Sequence, residues 1–355
     1  MFRLEPRPQA STTLMLVTPL LAIAATMLGG IVLFAALGKD PIAAIRIIFV
    51  DPFFDPFSRS ELPVKAAPLI LIAIGLSLGF RANIWNIGAE GQFIIGGIAG
   101  SAVGLAFYGV AGIWLLPLMA LAGMLAGFAY AMVPAILKVR FNANEILVSL
   151  MLVYVADQFL RAMVQGPLRN PQGFNFPESR LFHDSAVLPV LFEGTRVHVG
   201  VLVALVAVIG AWFLLERHVT GYNIKLLGSA PRAAGFSGVR QKRLVIFCLG
   251  TSGALAGLAG MIEAAGPLQQ LTPTLPQNYG FTAIIVAFLG RLNPWGILLA
   301  GFVMALTYIG GETAQFRLQL PAAAISTFQG MLLFFLLAFD LFVRYRVRRV
   351  VKGAA

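Results

Sequence analysis

The sequence predicts an all-α polytopic membrane protein with about ten transmembrane helices, and three observations carry that prediction. Hydrophobic residues make up 59% of the chain, against roughly 45–50% apolar in soluble domains. Charged residues make up 12%, about half the usual ~25%. The apolar residues also fall in runs long enough to cross a bilayer as helices, because ~20 residues at about 1.5 Å each match a ~30 Å hydrocarbon layer. A transmembrane barrel would show short segments of alternating polarity instead, and the chain has none.

The runs are 14–37, 66–82, 87–109, 113–137, 144–163, 197–215, 243–265, 280–291, 294–311 and 323–343. The first follows Arg3 and Arg7, but its stretch of about 24 residues exceeds the ~7–15 of a signal-peptide core, so it reads as a retained helix. Between the first two runs, residues 38–65 carry Pro41, Pro52, Pro56 and Pro63, which argue against one long helix there. The run 280–291 is too short to cross unaided as a regular helix. Cys248, the only cysteine, lies inside an apolar run; it reads as a packing residue and excludes an intramolecular disulfide.

Charge sets the orientation. The net charge of +11 invites a nucleic-acid reading, but the basic residues cluster beside apolar spans, where membrane orientation explains them better. Loop 216–243 holds Arg217, Lys225, Arg232, Arg240, Lys242 and Arg243 against the single acid Glu216. The tail holds Arg344, Arg346, Arg348, Arg349 and Lys352, and the short loop 138–143 holds Lys138 and Arg140. The positive-inside tendency makes all three cytoplasmic, which ten spans with both termini inside also require. Loop 164–196, of mixed charge, and segment 38–65 are then outside. The longest of these stretches is about 33 residues, too short for a core of its own, so 1–355 reads as one transmembrane domain with its membrane-spanning region at 14–343.

Polarity concentrates in two glycine-interrupted segments. "FRANIWNIGAEGQF" (80–93) places Asn83, Asn86, Glu90 and Gln92 at the start of the third span. Polar groups facing lipid are costly, so these should face helices or water. Gly88, Gly91, Gly96, Gly97 and Gly100 permit close helix packing and a broken helix lining a cavity. "NYGFTAIIVAFLGRLNPWG" (278–296) is the counterpart, with a short apolar piece between Gly280 and Gly290. Paired, interrupted segments in the two halves of a membrane protein point to a solute path, although tight packing beside a membrane face would give the same pattern. Glu90 is either a path-lining acid or, the preferred reading, a carboxylate that accepts N–H bonds from broken backbone. Nothing points to catalysis: there is no base–nucleophile constellation, and His183, His198 and Glu193 lack metal-ligand spacing. Asp157–Arg161 and Asp340–Arg344, each four apart, read as intrahelical ion pairs rather than proton relays, and few acids remain for mid-span positions. No G-x-x-x-x-G-K-[ST] loop is present, so any ATP would be bound by another chain.

Within loop 216–243, "SAPRAAGFSG" (229–238) reads as a short helix, with Ser229 as N-cap, Pro231 in the first turn and Gly238 at the end. About two turns cannot be stable alone in water, so it needs a partner surface, which Ala233, Ala234 and Phe236 would meet with Arg232 beside them. The plainer alternative is a basic connector lying on anionic headgroups.

Five segments together resemble permeases of ATP-binding-cassette (ABC) importers of the branched-chain amino acid, ribose and nucleoside superfamily. "FRANIWNIGAEGQF" resembles F-R-x-G-L-F-N-I-G-A-E-G-Q; "RFNANEILVSLMLVY", followed by "GPLR" (166–169), resembles R-F-G-x-N-E-V-I-x-T-I-M-L-N-Y. "LLGSAPRAAGFSGV" is similar to L-R-A-V-G-x-N-P-x-A-A-R-Y-A-G-I. "NYGFTAIIVAFLGRLNPWGILLA" is similar to G-Y-G-F-D-G-I-A-V-A-L-L-G-R-x-N-P-x-G-I, with Asn278 in place of the first Gly, and "TFQGMLLFF" to x-I-Q-G-L-I-I-L-F. The likeness runs from about residue 66 to 343 and is greatest to the larger permease subunit of nucleoside importers.

The resemblance implies a type II ABC importer permease fold in a bacterial inner (plasma) membrane, without cofactor and not itself an enzyme. It implies a second, non-identical permease, two cytoplasmic ATPase subunits and an extracytoplasmic substrate-binding protein. Pro231, Arg232, Ala233, Ala234, Phe236 and Gly238 would then form the helix that couples to an ATPase groove. The implied solute is a nucleoside, with Asn83, Asn86, Glu90, Gln92, Asn278 and Tyr279 lining or supporting its path. Ala230 stands where the family has Asn before Pro, Gly235 replaces its basic residue, and Thr282-Ala283 replaces its Asp-Gly, so substrate contacts do not carry over there. The alternatives are ribose or another simple sugar, an autoinducer-like sugar derivative, an ion-coupled secondary transporter, and a passive membrane scaffold.

Overall fold

The computed structural model describes residues 2–6 and 12–349. Among them the fold is helical throughout except for a two-stranded antiparallel ribbon of β1 (Phe2–Pro6) and β2 (Tyr345–Arg349). Pairing of the two strands places residues 2–6 beside 345–349. Nine helices among the described residues are long and apolar enough to cross a membrane, and Tyr279–Leu289 adds a shorter apolar one. The chain divides into two compact units, one from its ends (Met1–Arg59 with Leu306–Ala355) and one from Ser60–Ala305. Arg7 and Lys352 lie outside the described residues, as do the side chains of Asp340 and Arg344.

In the terminal unit, α1 (Thr12–Ala36) packs along α14 (Ala322–Arg344). Gly30 lies under the Phe328 ring, which stacks on Phe34 at 5.9 Å between centroids. Segment 38–65 is helical but broken, as its prolines require: α2 (Pro41–Phe49), α3 (Asp51–Phe54) and the first turn of α4 (Pro56–Arg81) each begin at or one residue before a proline. Asp40 caps α2 by accepting from the Ile42 and Ala43 amides at 2.9 and 3.1 Å. Asp55 does the same for α4, accepting from the Ser58 amide at 2.8 Å. α4 therefore starts ten residues before the expected 66, with Pro63 and Pro68 inside it.

In the central unit, α4 is followed by α5 (Ala89–Ala106), α6 (Leu115–Phe141), α7 (Glu145–Gln165), α8 (Gly200–Arg217), α9 (Val219–Ser229), α10 (Pro231–Phe236) and α11 (Gln241–Glu263). A π-helical turn, Ala264–Leu268, prolongs α11; then come α12 (Tyr279–Leu289) and the start of α13 (Pro294–Leu318). α4, α5 and α11 are mostly buried, whereas α7 and α8 turn most of their apolar surface outward. α5, α6 and α11 approach backbone to backbone: a Cβ on Gly96 would overlap the Gly257 backbone, and one on Gly127 the Gly253 carbonyl. Small residues at such crossings let dispersion contacts replace the hydrophobic drive that lipid does not supply. The expected Asp157–Arg161 pair is present at 3.0 Å. Loop 164–196 runs against the segment after the π turn, with the Leu188, Phe182 and Ser179 amides donating to the carbonyls of Ala265, Gln269 and Leu271.

Two expectations for loop 216–243 are corrected. It is not mostly connector, because α9 occupies 219–229; His218 caps it by accepting from the Thr220 amide at 3.1 Å. Ser229 is not the N-cap of α10. It ends α9, and its hydroxyl donates back to the Lys225 carbonyl at 2.9 Å, leaving Ala230 at the cap position.

The α5–α6–α11 crossing generates a prediction. Gly257→Val drives a branched side chain into Gly123 and Gly127 and should lower the melting temperature in detergent by about 5 °C or more. Gly210→Val, on α8 with open space around it, should leave the melt nearly unchanged. Thermal unfolding followed by size-exclusion chromatography reads both.

Candidate functional site

The first break begins where α4 ends. Asn83 takes the left-handed conformation (φ 58°) that Asn tolerates, and the Ile84 amide closes the turn on the Gly79 carbonyl at 2.9 Å. The Asn83 side chain is exposed and accepts from the Trp85 ring N–H at 3.2 Å. Extended backbone then leads to Gly88, which touches the Ser149 carbonyl so closely that only glycine fits. Asn86 and Gln92, both buried, close a ring of amides: Nδ2 of Asn86 donates to Gln92 at 2.8 Å and to the Ser252 hydroxyl at 3.0 Å, and Gln92 donates back at 3.1 Å. Asn86 also accepts from the Gly88 amide at 3.2 Å. Buried amides partnered in this way stabilise one geometry instead of costing desolvation.

The second break meets the first. Asn278, exposed and left-handed (φ 60°), precedes α12. The Glu90 carboxylate, 2% exposed, accepts from the Asn278 amide at 3.0 Å and from the Gly280 amide. Two of the orphan N–H groups that open α12 are thus satisfied by a side chain from the first turn of α5, where negative charge also suits the helix dipole. A Cβ on Gly280 would overlap the Glu90 backbone, so glycine is required for this approach. At its other end α12 closes with Arg291 and Leu292 left-handed (φ 56° and 55°), and Asn293 caps α13 through the Trp295 amide at 3.0 Å. There Arg81 donates to the Leu292 carbonyl at 3.0 Å and pairs with Glu216 at 3.4 Å. The Phe288 ring stacks on Phe80 and Trp85 at 5.2 and 5.8 Å. The two interrupted segments are therefore joined at both ends of α12.

A polar network missed in the sequence surrounds Tyr279, which is fully buried. Its hydroxyl donates to Gln277 at 3.0 Å and contacts Glu263 at 3.4 Å; Lys65 donates to Gln277 at 3.0 Å and lies 5.8 Å from the ring centroid. Glu61, also buried, pairs with Arg196 at 3.4 Å, and Arg196 donates to the Pro267 carbonyl at 2.9 Å. Glu61, Glu90 and Glu263 are all buried, each near an end of a helix of membrane length rather than at its middle. Glu263 inside an otherwise apolar run, and Glu61 four residues before Lys65, were the available signals.

α10 stands out from the central unit. Phe236 is 94% exposed, and Pro231, Arg232 and Ala233 are exposed beside it. Gly238 (φ 77°) ends it, with the Val239 amide bonded to the Ala234 carbonyl at 3.0 Å. Ala234 alone turns inward, joining an apolar cluster with Ala82, Ile84, Ile224, Leu227, Leu244 and Cys248. The helix is thereby packed on the same residues that begin the first break.

The carboxylate bridge should be measurable. Glu90→Ala leaves the buried Gly280 N–H and the partly buried Asn278 N–H without an acceptor, at about 1–3 kcal/mol for the buried one, and should lower the melting temperature and speed amide exchange at 278–282. Glu90→Gln keeps one acceptor oxygen and should fall between. Exchange mass spectrometry across those residues reads the effect.

The chain matches the family described as branched-chain amino acid transport system / permease component over residues 59–337. A glucose ABC transporter permease of Haloferax volcanii is 35% identical over 97% of this chain and 93% of its own length. A guanosine ABC transporter permease of Bacillus subtilis is 28% identical over 96% and 98%. A nucleoside ABC transporter permease of Lactococcus lactis is 26% identical over 82% of each. No solved structure matches the chain significantly. The chain belongs to this permease family and is a multi-pass membrane protein, the permease subunit of an ABC transporter.

Proposed function

We propose that this permease imports nucleosides across the inner membrane of a bacterium, with both termini cytoplasmic, as half of a pair with a second, non-identical permease. ATP is hydrolysed by separate cytoplasmic ATPase subunits, and an extracytoplasmic binding protein delivers the solute. The observation that carries this reading is α10: a short exposed helix with an almost fully exposed phenylalanine, packed through Ala234 on residues of the first helix break. An exposed Phe at a membrane protein's polar end is the kind of anchor a partner groove buries. In this reading Pro231, Arg232, Ala233, Ala234, Phe236 and Gly238 carry the ATPase stroke to the breaks, and the helices rock in response.

The solute path follows the seam. The exposed amides of Asn83 and Asn278 are proposed to meet solute, whereas Asn86, Glu90, Gln92 and Tyr279, buried and partnered, hold the seam in shape. A few amides on an apolar wall suit a neutral, hydrogen-bonding solute. The guanosine and nucleoside permeases among the relatives support a nucleoside. A simple sugar is the second reading, supported by the 35% identity to a glucose permease.

The test is uptake into vesicles carrying this permease with its co-encoded subunits. ATP-dependent accumulation of labelled guanosine or cytidine, outcompeting glucose and ribose, is expected; accumulation of sugar alone transfers the assignment to the second reading. Uptake by the single chain without ATP would refute both. Phe236→Asp should reduce uptake at least about a hundredfold, as loss of a buried aromatic anchor does, while membrane insertion measured by protease protection stays normal.

A further inference from the structure

A second concavity lies apart from the helix breaks. A cleft of about 400 Å³ opens between α9 and the start of α11. Thr220 and Asn223 line it from α9, Arg243, Leu244 and Phe247 from α11, and Arg240 from the cap position just before α11. Positions 243, 244 and 247 share one face of α11 by their spacing, with Arg240 just ahead of it at the cap. From that cap to Phe247 the lining changes from basic to apolar over about 10 Å along the axis. Both arginines are exposed, and neither has an ion pair or side-chain hydrogen bond among the described residues. Glu216, the one acid of this loop, is engaged by Arg81 at 3.4 Å.

The surroundings of the cleft suit the headgroup layer of a bilayer. It sits where the membrane-length helix Gln241–Leu268 begins. Trp212 lies under the Arg217 guanidinium at 5.6 Å, and Tyr222 is exposed on α9. Amphipathic aromatic side chains of this kind collect at the headgroup layer. A basic rim at headgroup depth, with an apolar wall directed along a membrane helix, matches the two ends of a phospholipid.

We propose that this cleft binds an anionic membrane phospholipid. Arg240 and Arg243 take the phosphate, Thr220 and Asn223 offer it neutral hydrogen bonds, and Leu244 and Phe247 take the first carbons of an acyl chain. Free phosphate shares the charge but leaves the apolar wall without a partner. Because the cleft adjoins Gly238 and Val239 at the foot of α10, a bound lipid would also steady that helix.

Native mass spectrometry of the purified full chain in neutral detergent tests this, independently of transport. Phosphatidylglycerol should be retained roughly tenfold or more over phosphatidylcholine, two arginines near a surface contributing about that much. The preference should vanish in R240Q/R243Q, survive in R240K/R243K, and persist in R59Q/R140Q, which removes the same charge from positions outside the cleft. Equal retention of both lipids, or equal loss in R59Q/R140Q, would overturn the site. Displacement of phosphatidylglycerol by millimolar inorganic phosphate would assign the cleft to the free anion and overturn the lipid reading.

Discussion

The central unit depends on one carboxylate. A helix that stops inside a membrane leaves orphan N–H groups where no water reaches them. At the start of α12 Glu90 accepts from two such amides, that of the exposed Asn278 and that of the buried Gly280. The acid comes from the first turn of α5, itself the helix that follows the other break. The start of α12 is therefore stabilised by a side chain of the helix that follows the other break. The buried Asn86–Gln92–Ser252 ring extends the same logic to α11, which carries Ser252. Glycine makes the arrangement possible, because the amides of 278–280 reach Glu90 only where position 280 has no Cβ.

That constraint organises the neighbouring packing. α5 cannot shift relative to α12 without breaking charge-assisted bonds, and its far side is held by the Gly96–Gly257 contact to α11. On the side of α9 and α10, Ala82 and Ile84 pack with Ile224, Leu227 and Ala234, and Gly228 of α9 rests on the Arg81 carbonyl. The exposed peg of α10 and the polar seam are thus connected by contiguous side chains rather than by a flexible linker.

The spans were legible because apolar length is a local signal. Among the described residues nine long helices and a short tenth coincide with the apolar runs, except that α4 starts ten residues early, and the short one is half of a broken pair. Gly238 was legible too, since a left-handed helix end favours glycine for a local reason. Ser229 misled because a hydroxyl serves an N-cap or the preceding turn equally well, and sequence does not rank the two. α9 was hidden by charge: its polar residues look like connector, while its buried Gly221, Ile224 and Leu227 meet α8 and the end of α4. The network around Tyr279 was invisible for another reason. Lys65 and Gln277 are 212 positions apart, and Arg196 and Glu61 are 135 apart. Only the fold brings such partners together.

The seam also limits how this chain moves. Separating α5 from α12 would strip two N–H groups from Glu90 and leave the buried carboxylate and the buried Gly280 amide without partners, at about 1–3 kcal/mol for each. Carrying the two together costs none of that. The backbone that absorbs such a movement must lie at the ends of the pair, and the left-handed residues sit there: Asn83 before α5, Asn278 before α12, and Arg291 and Leu292 after it. The π turn 264–268 offers a further adjustable joint between α11 and the second break. A pair of half-helices joined in this way, with left-handed residues at its ends, can be displaced together without breaking the bonds to Glu90.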